Sequence, residues 1–144
     1  MGLALEQARL AASFGEVPVG SLLIDPDGQI LACGHNECIL GSDVTAHAEI
    51  VTLRRAGQKI HNYRFQGCIL VVTLEPCAMC AAALVLARVA GVVYGALDAQ
   101  AGAIVSRTEY LDGPCCKGVP IWHLGGVRSQ ESVSLLADFF AKRR

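Results

Sequence analysis

The sequence predicts an α/β protein folded as a three-layer α/β/α sandwich. Helix-like and strand-like segments alternate through the middle of its 144 residues, two strand segments are apolar at nearly every position, and the chain ends on an amphipathic helix. A strand that is apolar on both faces must be covered on both, so helices are expected on either side of the sheet. Single domains cluster near ~100–150 residues. Residues 1–144 are therefore read as one domain, with no internal boundary, repeat or low-complexity tract.

The first element is a helix over Leu3–Phe14, where Ala4, Leu5, Ala8, Ala11 and Ala12 recur at helical spacing and Gly15 serves as C-terminal cap. Val17–Ile24 and Gln29–Gly34 are short apolar runs flanking Asp25-Pro26-Asp27-Gly28. Pro fixes the turn angle and Gly accepts positive φ, so the two runs form a β-hairpin. Helical spacing returns over Thr45–Ala56 (Ala46, Ile50, Leu53), with Ser42, Asp43 or Thr45 as N-cap and Gly57 beyond the end. Cys68–Leu74 is a buried strand rich in β-branched residues. Pro76 suits the first turn of a helix running to about Arg88, because the N–H it lacks would be unpaired there. Val92–Leu97 is a second buried strand, Asp98–Pro120 reads as loop, and a helix over Glu131–Lys142 carries Val133, Leu136, Ala137 and Phe140 as its apolar stripe.

Composition excludes several classes of function. With 53% hydrophobic and 17% charged residues the chain is neither disordered nor collagen-like. Its longest stretch without Asp, Glu, Lys or Arg is Pro76–Ala87, well short of the ~20 residues a membrane-spanning helix needs, so no membrane partner is expected. The apolar excess is expected to lie against another subunit. Met1–Glu6 holds no basic segment leading into an apolar one, so no secretory signal is read and the expected location is the cytoplasm. A net charge of −1 argues against coating nucleic acid through bulk charge and leaves room only for a local basic patch. Seven cysteines without an export signal favour metal ligation or burial over a disulfide framework, and only Cys77 and Cys80 have C-x-x-C spacing.

The chemistry concentrates in Thr45-Ala-His-Ala-Glu49 and Thr73-Leu-Glu-Pro-Cys-Ala-Met-Cys80. Zinc prefers His nitrogen and Cys sulfur, and a catalytic site uses three protein ligands so that water can hold the fourth position. His47, Cys77 and Cys80 supply three, for one Zn2+ per chain. Cysteines at i and i+3 on a first helical turn share a face, and the positive end of the helix dipole favours their thiolates. Glu49, two residues beyond His47, is close enough to serve the water without being a ligand. Each residue alone has an ordinary reading: a partly exposed histidine, a C-x-x-C divided among zinc, redox and burial, a solvated glutamate. Together, H-x-E followed 28 residues later by P-C-x-x-C is the signature of zinc nucleobase deaminases.

The chain resembles the bacterial tRNA-specific adenosine deaminases of the cytidine deaminase superfamily from about Leu5 to Arg143. Besides the two motifs, Glu16-Val-Pro-Val-Gly20, Gly34-His-Asn36, Asn62-Tyr-Arg64, Tyr94-Gly95, Asp98 and Asp138-Phe-Phe140 carry the resemblance. It weakens between Thr108 and Gly126, where Gly113-Pro-Cys-Cys-Lys-Gly118 replaces an expected Asn-His-containing stretch. The resemblance implies a cytidine deaminase-like sandwich with a central mixed sheet, His47, Cys77 and Cys80 on zinc, and Glu49 shuttling protons from water to a ring nitrogen and then to the departing amine. Asn36 is expected on a purine edge or ribose hydroxyl, with Val17, Pro18, Ala48 and Phe140 also contacting substrate. A homodimer is implied as well.

The implied substrate is adenosine at the wobble position of a tRNA anticodon loop, converted to inosine, since such a base can be flipped out. Candidate RNA contacts are Arg54, Arg55, Lys59, Arg64, Lys117 and Lys142-Arg143-Arg144, with Tyr63, Phe139 and Phe140 as aromatics. An ordinary solvated helix face accounts equally for Arg54, Arg55 and Lys59. Two other readings stand beside this one: a deaminase of a small-molecule nucleobase or nucleoside (guanine, cytosine or adenosine type), and a non-catalytic module in which zinc only holds two helices together. Cys33, Cys38, Cys68, Cys115 and Cys116 are read as packing or exposed thiols.

Overall fold

The computed structural model describes residues 1–112 and 120–143. The elements follow the chain as α1 (Gly2–Ser13), β1 (Gly20–Ile24), β2 (Ile30–His35), α2 (Ala48–Ile60), β3 (Ile69–Leu74), α3 (Ala78–Ala87), β4 (Gly91–Ala96), a 3-10 turn (Tyr110–Asp112), β5 (Trp122–Leu124) and α4 (Ser129–Ala141). The five strands lie in the order β2-β1-β3-β4-β5. β1 is antiparallel to both β2 and β3, whereas β3, β4 and β5 run parallel, so the sheet is mixed. Helices α1 and α4 touch each other and so do α2 and α3.

Alternation along the strands divides the interior into two cores. Leu23, Leu70, Val72 and Val92 join Ala56, Ala81 and Leu84 of α2 and α3 in the larger one. Leu22, Val71 and Val93 point the other way and meet Ala4 of α1. That is the period-two pattern of a sheet covered on both faces, and the three-layer expectation holds. Burial of each Leu or Val is worth roughly 1.5–3 kcal/mol. Truncating Leu84 to Ala in such packing is expected to cost about 2–5 kcal/mol.

Several boundaries differ from expectation for local reasons. The hairpin turn is as read, with Gly28 at φ +81° and a bulge where Leu23 pairs with Ala32 but Ile24 with Ile30. Val17 and Pro18 precede β1 rather than belonging to it. Helix α2 starts three residues late because Asp43 Oδ1 accepts both the backbone N–H and the hydroxyl of Thr45 in a local turn, leaving His47 as N-cap. Gly57 lies inside α2, which ends at a left-handed His61. Pro76 falls just outside α3, whose N-cap is Cys77. β5 went unread because three residues carry no periodicity.

The C-terminal helix is turned relative to its predicted stripe. Ser132 and Phe139 are its buried residues, while Val133 and Phe140 are exposed. Leu135-Leu136 and Phe139-Phe140 place apolar side chains on adjacent faces, so periodicity alone cannot choose between them. The outward choice leaves Leu136 and Phe140 free to face the functional cleft.

Candidate active site

The site gathers where the parallel strands β3 and β4 end and helices α2 and α3 begin, the usual crevice of an α/β sheet. Hairpin strand β2 ends there too and delivers Asn36. The Asn36 N–H donates to the Val19 carbonyl at 3.1 Å, and its Oδ1 accepts the N–H of Ala48 at 2.9 Å. That second bond satisfies one of the orphan donors at the start of α2, which no side chain of the helix's own N-cap reaches. Asn36 thus fixes the helix end that carries His47 and Glu49.

Three donors converge at the two helix starts. His47 Nδ1 lies 3.6 Å from Cys77 Sγ and 3.6 Å from Cys80 Sγ, and all three ligand atoms fall within 4.8 Å of one another. Zinc bonds of about 2.0–2.1 Å to nitrogen and 2.3 Å to sulfur, opened at a tetrahedral angle, separate N from S by about 3.5 Å. The donor set therefore fits zinc both in chemistry and in span, and three protein ligands leave the fourth position open. A hydrogen bond from the Cys80 thiol, helped by His47, pulls the Cys77 thiol down to about 4, so one thiolate is already favoured. The same bond and burial push Cys80 up, and the bond to Cys77 raises His47.

Glu49 is 4% exposed, and burial pushes its carboxyl up to about 6. A carboxyl raised toward neutrality is suited to accept and return protons. Burial would likewise raise Glu75, but the Ser106 hydroxyl and the backbone N–H groups of Val105, Ser106 and Asp98 outweigh it and hold that carboxyl below its ordinary value. The two buried glutamates are thus driven in opposite directions.

A cavity of about 220 Å³ opens over these groups, lined by Val17, Val19, Asn36, His47, Glu49, Leu74, Glu75, Cys77, Asp98 and Ala101. It is smaller than the ~300–1,000 Å³ of a drug-sized pocket and suits a single ring system. Val17, Leu74 and Asp98 also border an adjoining shelf of about 420 Å³ with Leu97, Leu136 and Phe140. Two roomier hollows, about 480 Å³ between α2 and α3 and about 640 Å³ between β4 and α4, contain no clustered metal donors among the described residues.

Of the expected contacts, Asn36, Val17 and Phe140 stand at the cavity or its shelf. Pro18 is buried and does not line the cavity, whereas Val19 does; the Val19 N–H donates to the Val17 carbonyl at 2.7 Å across Pro18. Ala48 is fully buried and its N–H is spent on Asn36. Among the basic candidates, Arg54 pairs with Asp43 and Thr45, Arg55 with Glu37 and the Cys33 carbonyl, and Arg143 lies over the Phe139 ring and bonds the Gly15 carbonyl. Arg64 stacks on Tyr63. Phe139 is core, and Cys115, Cys116, Lys117 and Arg144 lie outside the described residues. Val19, Leu74, Glu75, Asp98 and Ala101 were missed as lining residues. Leu74 and Glu75 had a signal in the motif that carries the two cysteines, and Asp98 in the segments that carry the resemblance.

Residues 1–96 match the family model of the cytidine and deoxycytidylate deaminase zinc-binding region. The chain belongs to this deaminase family. Zinc is its cofactor and hydrolytic deamination its reaction class. The tRNA-specific adenosine deaminase of Haemophilus influenzae is 43% identical over 144 residues, which are all of this chain and 83% of that one. A solved structure from a study of A-to-I editing by tRNA:A34 deaminases at the wobble position superposes with a TM-score of 0.90 at 41% identity, covering 94% of this chain and 97% of that one. Guanine deaminase from Nitrosomonas europaea shares the deaminase fold at a TM-score of 0.85 and 23% identity, over 97% of this chain and 82% of its own.

Proposed function

We propose that the protein converts adenosine to inosine at the wobble position of a tRNA anticodon by zinc-dependent hydrolysis. The observation that carries this reading is a ring-sized cavity joining a His47, Cys77, Cys80 donor set to a buried Glu49, in a chain 43% identical along its length to a tRNA-specific adenosine deaminase. Zinc, when bound, lowers the pKa of water toward ~7 and makes hydroxide available at neutral pH. Glu49 takes one proton from water and passes it to the ring nitrogen beside C6 as oxygen attacks that carbon, then takes the remaining proton of the added hydroxyl and delivers it to the departing amine. One water is consumed and one ammonia leaves. The Asn36 Oδ1 anchors the Ala48 N–H, and its NH2 donates to a hydrogen-bond acceptor on the purine edge or ribose.

Val17 and Val19 flank the base, and Phe140 on the shelf offers a stacking face for a neighbouring nucleotide. Pro18 and Ala48 act by holding these groups in place. Residues 1–144 act as one deaminase domain, and the enzyme works in the cytoplasm on its tRNA. Two copies pair through the apolar hollow between α2 and α3, where Leu86 is 75% exposed beside Tyr63. No described helix is long and apolar enough to cross a membrane.

A minimal anticodon stem-loop with adenosine at the wobble position tests the substrate. Inosine and equimolar ammonia are expected; ammonia from free bases or nucleosides with none from the stem-loop would replace this reading with the small-molecule one. Light scattering at a dimer mass tests the pairing, and a monomer would refute it.

A further inference from the structure

Glu75 is 2% exposed, yet the proton transfers given to Glu49 leave it without a role. Its Oε1 accepts the backbone N–H groups of Ile104, Val105 and Ser106 at 3.0, 2.8 and 2.9 Å. Its Oε2 accepts the Asp98 N–H at 3.0 Å and the Ser106 hydroxyl. Hydrogen bonds to an ionised acceptor are roughly twice as strong as neutral ones, so one carboxylate gathers the whole of segment 98–106. Two further ties press that segment onto the metal-binding strand end: the Ala103 N–H donates to the Pro76 carbonyl at 2.8 Å, and Gly102 bridges Cys77. A Cβ on Gly102 would overlap the Glu75 carboxylate, so loop and carboxylate are in direct contact. The segment matters because Asp98 and Ala101 line the cavity, and Asp98 also borders the shelf.

We propose that Glu75 is a positioning residue that sets substrate affinity by holding segment 98–106 as one wall of the cleft. Both of its oxygens are already committed to the loop, so its charge acts on the substrate through Asp98 and Ala101. The neutral isostere keeps the volume but turns an NH2 toward N–H donors, which opens the wall. The proposal rests on the deaminase reading above for its substrate, and its test has one arm that does not.

Zinc-loaded Glu75→Gln, Ser106→Ala and Gly102→Ala are compared with the wild type by kcat and KM on the stem-loop, metal content, and amide hydrogen exchange. Losing bonds to a charged group predicts for Glu75→Gln a rise in KM of about 10-fold or more with kcat changed less than about 3-fold. Zinc stays at one per chain, and exchange quickens across 98–106 while α2 and α3 remain protected. Ser106→Ala moves the same readouts less. Gly102→Ala, which leaves Glu75 intact and pushes the loop off it, reproduces the pattern. If Glu75→Gln does not fold, these two variants carry the test. An unchanged KM with a protected segment overturns the proposal, and so does a fall in kcat at constant KM, which would place Glu75 in the chemistry. Should the wild type make no inosine, the tRNA reading fails while hydrogen exchange still decides whether Glu75 holds the wall.

Discussion

His47, Glu49, Cys77 and Cys80 sit at the starts of two helices pinned to one sheet, whereas Val17, Leu97, Leu136 and Phe140 come from three separate segments and stay partly open to solvent. The first set forms the floor of the cleft and the second its shelf. On the floor, the donors are held within 4.8 Å of one another by backbone geometry that Asn36 locks from a third element. On the shelf no hydrogen bond fixes any of the four side chains, and Leu97 is 60% exposed. Chemistry demands placement to within a fraction of an ångström, while apolar stacking tolerates movement.

The sharpest way to break the comparison is to empty the floor. Cys80→Ala removes one of three ligands at a fully buried position, and turnover should drop to background together with bound zinc, read by metal analysis. Retained activity in a zinc-free variant would dissolve the distinction between floor and shelf. Glu49→Gln comes next. It keeps the shape and the metal but removes the proton carrier, so kcat should fall about 10²–10⁴-fold with zinc still at one per chain. Activity within a few-fold of wild type would show that Glu49 carries no proton.

The same contrast explains what could be read from the chain. His47, Cys77 and Cys80 were legible as a zinc donor set because ligand chemistry dictates residue type and helical spacing dictates separation, whereas Glu49 stood out only through the H-x-E part of the deaminase signature. The buried strands β3 and β4 were legible because covering both faces removes the polar alternation. On the shelf, Val17 and Phe140 were expected only through the resemblance, since by periodicity Leu136 and Phe140 look like core until the turn of α4 about its axis is known. Glu75 was visible as a letter in a motif, but its bonds run to residues 98–106, and no local pattern reports a side chain meeting backbone about thirty positions away. Pro18 and Ala48 were expected at the substrate, but both are buried outside the cavity lining, each flanked by residues that do line it.

Phe140→Ala tests the shelf itself. Its ring is half exposed, so stability should change by less than about 1 kcal/mol. Stacking of a base on an aromatic ring is worth about 1–3 kcal/mol, which predicts a KM on the stem-loop raised roughly 5- to 100-fold with kcat unchanged. Equal losses in kcat would move Phe140 from the shelf to the floor.

The smallest expected effect lies under the floor, at His35, whose backbone delivers Asn36 to the site. Its side chain is 9% exposed, stacked on Phe14 at 5.9 Å, with Nε2 3.9 Å from Glu37 and a buried Nδ1 that lacks a hydrogen-bond partner among the described residues. Burial lowers its pKa, Arg55 lowers it further, and Glu37 and Glu16 only partly offset them, so the fold favours the neutral ring. Between the lowered folded value and the ordinary ~6.5 the unfolded chain binds the extra proton. Stability from this group is therefore complete above about 6.5 and is lost as pH falls through the folded value. Other groups titrate in the same range, which makes the informative quantity the stability difference between zinc-loaded wild type and His35→Gln from pH 7.5 to 5.5. That difference should move steadily against the wild type as pH falls. A constant difference would mean that His35 holds Asn36 by packing alone, and the floor would then owe nothing to its charge state.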